Sequence, residues 1–178
     1  MEGNKSWIAE FILVGFQLRE EMELLLFVIF FLLYIFNLLA NGMILGLICL
    51  DPRLHSPMYY SLFHLAITDI SYASSNLPNM LENLVKHKKT ISFDSCTMQM
   101  VFSLAFGSVE CLILVVMSYD RYVAICHPLR YTVIMNWKLC IVLAITSWAC
   151  GFSLALVQVF LLLRLSFCGP QKINHFFC

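Results

Sequence analysis

Residues 24–50 read LLLFVIFFLLYIFNLLANGMILGLICL, a stretch without a single charged side chain. A helix needs about 20 apolar residues to cross a bilayer, because each residue adds about 1.5 Å across a hydrocarbon core about 30 Å thick. Lipid offers no hydrogen-bonding partners, so every backbone amide and carbonyl must pair within the segment, which favours a helix. The stretch therefore predicts a transmembrane helix.

Three further stretches, 58–84, 95–121 and 138–163, have comparable length and are also mainly apolar. The middle of the first holds one acid, Asp69, and the middle of the second holds one acid, Glu110. With the first stretch they predict an all-α membrane protein, a bundle of four transmembrane helices.

The segments between these helices complete the predicted layout. It has a tail at 1–23, helices at 24–50, 58–84, 95–121 and 138–163, and loops at 51–57, 85–94, 122–137 and 164–178. Pro57 stands at the start of the second helix, where proline is tolerated. Pro78 lies inside that helix, and we expect a kink there.

The composition excludes several classes of protein. Hydrophobic residues make up 61% and charged residues 12% of the chain, whereas a soluble domain has about 25% charged residues. The formal net charge is zero and no long basic run is present, so no nucleic-acid partner is indicated. Without a CxxC pair, a phosphate loop or a nucleophile elbow, the sequence predicts no metal, no cofactor and no enzyme activity.

The orientation of the bundle is left open by charge counting. With the amino terminus outside, the cytoplasmic side holds four basic residues and the outer side seven, which opposes the positive-inside rule. Two features favour an outer amino terminus. Asn4 begins a glycosylation sequon, and Cys96, Cys168 and Cys178 lie beside polar loops as disulfide candidates.

Acidic side chains within the predicted spans are candidate functional residues. A charge at the centre of a membrane helix costs about 2.5–3.5 kcal/mol on insertion scales, so Asp69 and Glu110 should face the interior of the bundle. Asn37 and Asn41 are four residues apart and share one helix face. A cluster of Asn41, Asp69 and Glu110 could hold a cation or water, or share a proton. The alternative is a hydrogen-bonded core pair with one neutral carboxyl.

Residues 117–131 read MSYDRYVAICHPLRY and end an apolar helix with an adjacent acid and base. Arg121 offers a planar guanidinium at the membrane face, and Asp120 is near enough to restrain it as an ionic latch. The alternative interpretation is a pair of snorkelling charges at a helix end.

This stretch closely resembles the signature of olfactory receptors, a branch of the rhodopsin-like G-protein-coupled receptors. Ser118 stands where that family usually has alanine. Further motifs follow in the family's order: Asn41-Gly42, residues 54–59, residues 65–69, residues 78–81, Cys96, Ser147-Trp148, residues 167–170 and residues 173–178. The resemblance covers essentially the whole chain, and its detail is most similar to the 2A-type subfamily.

The resemblance implies a receptor that couples odorant binding to a heterotrimeric G protein of the olfactory stimulatory type. Asp120, Arg121 and Tyr122 would form the G-protein switch. The buried sodium-type cluster would be Asn41, Asp69 and Glu110, and Cys96 would pair with Cys178 in a disulfide. The implied ligand pocket consists of Met100, Ser103, Leu104, Gly107, Ser108, Leu154 and Gln158. The implied location is the plasma membrane, as a multi-pass protein with an extracellular amino terminus and a glycosylated Asn4.

The sequence ends at Cys178, in what the resemblance makes the second outer loop. The chain would then be the first four helices of a seven-helix bundle, as a sequence fragment or a truncated product. We expect a product of this length not to signal efficiently and to be retained in the endoplasmic reticulum. The alternative function is a membrane interaction protein that associates with intact receptors, which co-purification would favour.

Overall fold

The computed structural model of the chain describes residues 10–13, 20–85, 90–164 and 172–173. Its helices are α1 (Glu20–Leu50), α2 (Pro57–Val85), α3 (Phe93–Cys126), the short α4 (Tyr131–Ile134) and α5 (Trp137–Arg164). Two single-turn 3-10 helices, Pro52–Leu54 and Pro128–Arg130, lie in the connections. Three short strands are β1 (Glu10–Leu13), β2 (Thr90–Ser92) and β3 (Lys172–Ile173). The prediction of an all-α membrane fold is confirmed.

The four long helices form one bundle in which α2 and α3 hold the central positions. α2 packs against α1 and α3, α3 packs against α5, and α2 also contacts α5. We call the end where α1 and α3 finish and α2 and α5 begin the Asp120 end. The opposite end, where the strands lie, is called the sheet end.

Three of the described helices are long and apolar enough to cross a membrane on composition alone: Glu21–Leu50, Asp94–Cys126 and Trp137–Leu162. α2 coincides with the predicted span 58–84, but it is less apolar than these three helices and is not among them. Hydroxyl, amide, imidazole and carboxyl side chains are spread along α2. Its position between α1, α3 and α5 keeps many of these groups away from lipid.

Several hydroxyl groups of α2 are paired within the helix itself. Thr68 Oγ1 donates to the carbonyl oxygen of His64 at 2.8 Å. Ser71 Oγ donates to the carbonyl oxygen of Ile67 at 2.8 Å, and Ser75 Oγ donates to that of Ser71 at 2.7 Å. Such bonds to the preceding turn pair a polar group without water, which lets a polar helix lie inside an apolar bundle.

One helix boundary, the end of α3, differs from the predicted layout in a way that matters for the site. α3 continues to Cys126, so residues 122–126 lie on the helix and not in the predicted loop 122–137. An adjacent acid and base do not interrupt a helix, and the first residue unable to continue it is Pro128. Within α2, the helix continues on both sides of Pro78.

The three strands form a small sheet with β1 in the middle. β1 pairs antiparallel with β2, with Phe11 opposite Ile91, and parallel with β3, with Ile12 opposite Lys172. The predicted layout placed all of these residues in the tail or in loops. Each strand is too short to stand out in sequence, and the pairing joins segments that are far apart in the chain.

The contact between α3 and α5 depends on small residues. Ala105 and Val109 on α3 and Ala155 on α5 are completely buried. A Cβ added to Gly151 would overlap Val109 Cγ2, and it would lie 3.0 Å from Val109 N and 3.2 Å from the carbonyl oxygen of Ala105. Ser147, Gly151 and Ala155 repeat every four residues, the small-residue pattern that lets two membrane helices approach closely.

The substitution Gly151→Ala should lower the free energy of unfolding by about 1–3 kcal/mol, because the new methyl group overlaps a stiff, buried valine. Gly46→Ala is the matched control, since no atom lies within 4 Å of a Cβ added there. Thermal unfolding of the detergent-solubilised chain, followed by circular dichroism, measures both variants. Equal stability of the two variants would contradict the close α3–α5 contact.

Candidate functional site

The Asp120 end is organised by a buried carboxylate. Asp120 is only 2% exposed, and its Oδ1 accepts a hydrogen bond from Tyr131 Oη at 2.8 Å. Tyr131 is the first residue of α4, so this bond joins the last turns of α3 to the connection that follows. Arg121 and Tyr122 are exposed. In this structure Asp120 is therefore held by Tyr131, and the guanidinium of Arg121 is left at the surface.

A small apolar core positions Tyr131. Val123, Met135 and Cys140 are almost completely buried and come from α3, the residue after α4, and α5 respectively. The partly buried residues Tyr60, Tyr131, Ile134 and Leu139 pack against this core. Because the core joins three helices, it holds the phenol of Tyr131 against Asp120.

The environment of Tyr131 changes its ionisation. Burial, followed by the hydrogen bond to Asp120 and the negative charge of that carboxylate, raises the pKa of Tyr131 to about 12. A tyrosine in an unfolded chain titrates near about 10. The folded state therefore holds this proton more tightly, so Tyr131 contributes stability below pH 10 that is lost between about pH 10 and 12. The phenol is a hydrogen-bond donor throughout the physiological range.

The predicted ligand-pocket residues on α3 lie at the sheet end of the bundle and face α2 in part. Ser103 Oγ accepts a hydrogen bond from Asn76 Nδ2 of α2 at 3.3 Å. A Cβ added to Gly107 would lie 3.8 Å from the ring of Tyr72, also on α2. The remaining α3 positions, Met100, Leu104 and Ser108, are half-buried.

The two α5 positions of the predicted pocket differ from those on α3. Leu154 is 52% exposed, and Gln158, one turn further along α5, is also exposed. The structure thus brings Asn76 and Tyr72 to the α3 residues, whereas Leu154 and Gln158 lie on the outer surface of α5.

The predicted polar cluster is only partly assembled by the described contacts. Asp69 and Glu110 are half-buried and interact electrostatically. Asn41 is 9% exposed, and its Nδ2 donates to the carbonyl oxygen of Asn37 within α1 at 3.2 Å. Within the described ranges no group of three or more His, Cys, Asp or Glu side chains is arranged to hold a metal ion.

The predicted disulfide and glycosylation sites are described only in part. Cys96 is 8% exposed and disulfide-bonded. Its expected partner Cys178 and the sequon residue Asn4 both lie outside the described residues. Five other cysteines, at 49, 111, 126, 140 and 150, are free thiols.

A link between α2 and α5 was not anticipated from the sequence. Trp148 Nε1 donates to His64 Nδ1 at 3.3 Å, and the imidazole also meets the ring of Tyr60 edge-on at 4.7 Å between centroids. Trp148 in turn packs against Phe106 and Phe152. In the sequence, His64 could have indicated this link, because a histidine in a membrane segment needs a partner inside the bundle.

A cavity of about 270 Å³ lies at the Asp120 end, between the C-terminal end of α1 and the N-terminal ends of α2 and α5. Its lining is almost entirely apolar and includes Ile48, Leu54, Tyr60, Phe63 and Trp137. It lies at the opposite end of the helices from the predicted ligand pocket, so the two are separate features.

Comparison with known proteins identifies close relatives along the whole chain. The family described as "Olfactory receptor" matches residues 30–178. Human olfactory receptor 2A5 is 64% identical over 179 aligned residues, which cover 100% of this chain and 58% of the relative. Human olfactory receptor 2A12 is 64% identical, and mouse olfactory receptor 2A7 is 57% identical, each with 100% of this chain and 57% of the relative covered. The chain therefore spans little more than half the length of these relatives.

Replacing Tyr131 by phenylalanine should lower the free energy of unfolding by about 1.5–3 kcal/mol, since a buried carboxylate loses its hydrogen-bond donor. Tyr122→Phe is the matched control, because the Tyr122 side chain is 56% exposed. Thermal unfolding in detergent at neutral pH compares the two variants. If Tyr131→Phe left the stability unchanged, the hydrogen bond from Tyr131 would not be what stabilises the buried Asp120.

Alkaline titration should reveal the raised pKa of Tyr131. We expect one phenolate transition, followed by absorbance near the tyrosinate band, at a pH of about 12, and we expect this transition to be missing in Tyr131→Phe. If the variant titrates identically to the unmodified chain below the pH of unfolding, Tyr131 is not shielded as described.

Proposed function

The chain belongs to the olfactory receptor family, and we propose that it supplies odorant-sensing and G-protein-facing helices of an odorant receptor. The family comprises G-protein-coupled membrane receptors and not enzymes. The proposed ligand is a small-molecule odorant, and the proposed partner is a heterotrimeric G protein of the olfactory stimulatory type. The two interactions take place at opposite ends of the bundle.

The arrangement of Asp120, Arg121 and Tyr131 is the observation that supports this proposal most strongly. Asp120 is engaged by Tyr131 and buried, while Arg121 and Tyr122 remain exposed at the finish of α3. An exposed guanidinium offers five donors in a fixed plane and suits the carbonyl and carboxylate groups of a protein partner. We propose that Asp120, Arg121 and Tyr122 form the switch that meets the G protein.

The proposed odorant site lies at the sheet end and includes Met100, Ser103, Leu104, Gly107 and Ser108 of α3. These residues are half-buried, and Asn76 and Tyr72 lie beside them. Together they provide a mainly apolar lining with few polar groups, as is usual in small-molecule sites. Leu154 and Gln158 lie on the outer surface of α5 and are not proposed as contacts of this site. A disulfide between Cys96 and Cys178 would fasten the second outer loop to α3 beside this site.

Between the two ends, Asn41, Asp69 and Glu110 are proposed to form the polar network of the receptor core. Two carboxyl groups that interact in a bundle interior cannot both carry an uncompensated charge at low cost. A sodium ion or a shared proton would remove that repulsion. Helix movements that change the separation of Asp69 and Glu110 would then couple ligand binding to the Asp120 end.

The proposed cellular location follows from membership of the olfactory receptor family. The apolar helices support insertion in a bilayer, and we propose a plasma-membrane protein with an extracellular amino terminus that carries a glycan on Asn4. In this orientation the sheet end faces the exterior, where odorants arrive, and the Asp120 end faces the G protein in the cytoplasm.

A chimera tests the proposal directly. Residues 1–178 would be joined to the remaining part of human olfactory receptor 2A5. The chimera would be expressed with a stimulatory G protein and a cyclic-AMP reporter. A panel of volatile alcohols, aldehydes, ketones and acids should contain at least one agonist. Arg121→Gln should lower the response about tenfold or more, because hydrogen bonds to charged groups are worth about 1.5–3 kcal/mol.

Arg164→Gln is the control for that variant, because Arg164 lies at the sheet end with its guanidinium 4.6 Å from the centre of the Phe160 ring. It should keep the response. A chimera that reaches the cell surface and responds to no odorant contradicts the receptor proposal. Equal losses from Arg121→Gln and Arg164→Gln contradict the role given to Arg121.

A further inference from the structure

Two stripes of side chains face each other between α2 and α3 at the sheet end. On α3, Gln99, Ser103 and Gly107 follow at intervals of four residues and therefore share one face. On α2, Tyr72 and Asn76 are likewise four residues apart. The Asn76–Ser103 hydrogen bond of 3.3 Å and the 3.8 Å approach of Tyr72 to a Cβ added at Gly107 join the stripes.

This contact holds three buried amide atoms that have no hydrogen-bonding partner. Gln99 is 4% exposed, yet both its Oε1 and its Nε2 are unpaired. The buried Oδ1 of Asn76 is also unpaired. Native proteins pair almost all buried polar atoms with protein, water or ligand. Two of the three atoms belong to Gln99, one turn before Ser103 on the same face of α3, and the third belongs to Asn76, which bonds to Ser103. Together they indicate a place that a polar group of another molecule completes.

The hydrogen-bonding capacity of the pair is well defined. Asn76 Nδ2 donates to the carbonyl oxygen of Tyr72 at 2.9 Å, and this bond fixes which atom of the Asn76 amide is oxygen, because a carbonyl only accepts. The unpaired groups are therefore two acceptors, Asn76 Oδ1 and the Gln99 carbonyl, and one donor, the Gln99 amide nitrogen. If the oxygen and nitrogen of the Gln99 amide were assigned the other way round, the unpaired groups would still be two acceptors and one donor.

We propose that the amides of Asn76 and Gln99 recognise the hydroxyl group of a small neutral alcohol. The inference rests on the proposed odorant-receptor function and names the class of ligand. A hydroxyl group donates its proton to one of the two carbonyl oxygens and accepts from the Gln99 N–H with its own oxygen. The ring of Tyr72 and the half-buried α3 side chains then contact the hydrocarbon part of the ligand.

Other odorant classes fit these atoms less well. An aldehyde or ketone only accepts, so it leaves both carbonyl oxygens unpaired. A carboxylate brings negative charge towards two carbonyl oxygens, and neither α2 nor residues 93–120 of α3 contain lysine or arginine to offset it. A hydrocarbon pairs with none of the three atoms. The expected order of affinity is alcohol, then carbonyl compound, then carboxylate or hydrocarbon.

The test uses the full chain in lipid nanodiscs with octane, 1-octanol, octanal and octanoate as probes. The shift in unfolding midpoint reports binding to the folded state. We expect 1-octanol to bind about 3- to 10-fold more tightly than octanal, the effect of one net hydrogen bond. In Gln99→Leu this preference should fall below about twofold, while Thr146→Val, an exposed position on α5, should keep it.

The same variant has a second readout that needs no ligand. Because Gln99→Leu removes two unpaired buried polar atoms, it should raise the midpoint of the ligand-free chain by about 2–4 °C. A lower midpoint would show that the Gln99 amide serves the folded structure itself, and it would overturn the inference.

The binding results separate this inference from the function on which it rests. An equal response to all probes that bind, or a preference for octanal or octanoate, overturns the alcohol assignment and leaves the odorant-receptor proposal standing. Failure of every probe to shift the midpoint counts against both. A preference for 1-octanol that Gln99→Leu abolishes supports both.

Discussion

Polar groups in a bilayer must be paired inside the protein, and α2 concentrates that requirement in one helix. Several of its hydroxyl groups, including those of Thr68 and Ser75, bond to the preceding turn of their own backbone. Its imidazole and amide side chains reach neighbouring helices, where His64 meets Trp148 and Asn76 meets Ser103. This requirement explains why α2 lies between α1, α3 and α5. A helix with so many polar side chains is stable in a membrane only with other helices around it.

The apolar helices meet the opposite requirement. α1 has no buried residue in its most apolar window and presents leucine and phenylalanine side chains outward. α5 approaches α3 closely because Gly151 and Ala155 occupy the contact. Since α5 follows α4 directly, this approach also brings Tyr131 to the finish of α3. The packing of small residues in the bundle and the Asp120–Tyr131 bond are thus parts of one arrangement.

The helices could be predicted from the sequence, but their mutual contacts could not. Long apolar runs reveal α1, α3 and α5 because length and lack of charge are sufficient signals, and residues 117–131 identify the family because many specific residues recur in order. Tyr131 as the partner of Asp120 was missed, since a turn of 3-10 helix at Pro128–Arg130 brings them together. Ser147, Gly151 and Ala155 repeat every four residues in the sequence, but this pattern does not show which helix they contact.

The proposed odorant site shows the same limit of prediction from sequence. Ser103 and Gly107 were implied by the family resemblance, whereas Asn76 and Gln99 emerged only when α2 was placed beside that face of α3. Strand β1 was missed because its partners are two distant short segments. In each case a property of one segment was predictable, and a property that depends on two segments was not.

The central claim is that α2 lies inside the bundle while α1 and the outer face of α5 meet lipid. Photolabelling with a diazirine probe dissolved in the bilayer, read residue by residue by mass spectrometry, tests this most directly. The account predicts dense labelling of exposed residues such as Leu32 and Phe36 on α1 and Val157 on α5, and little at Ala66, Thr68 and Ala73 on α2. Labelling of these α2 residues as dense as that of α1 would contradict it.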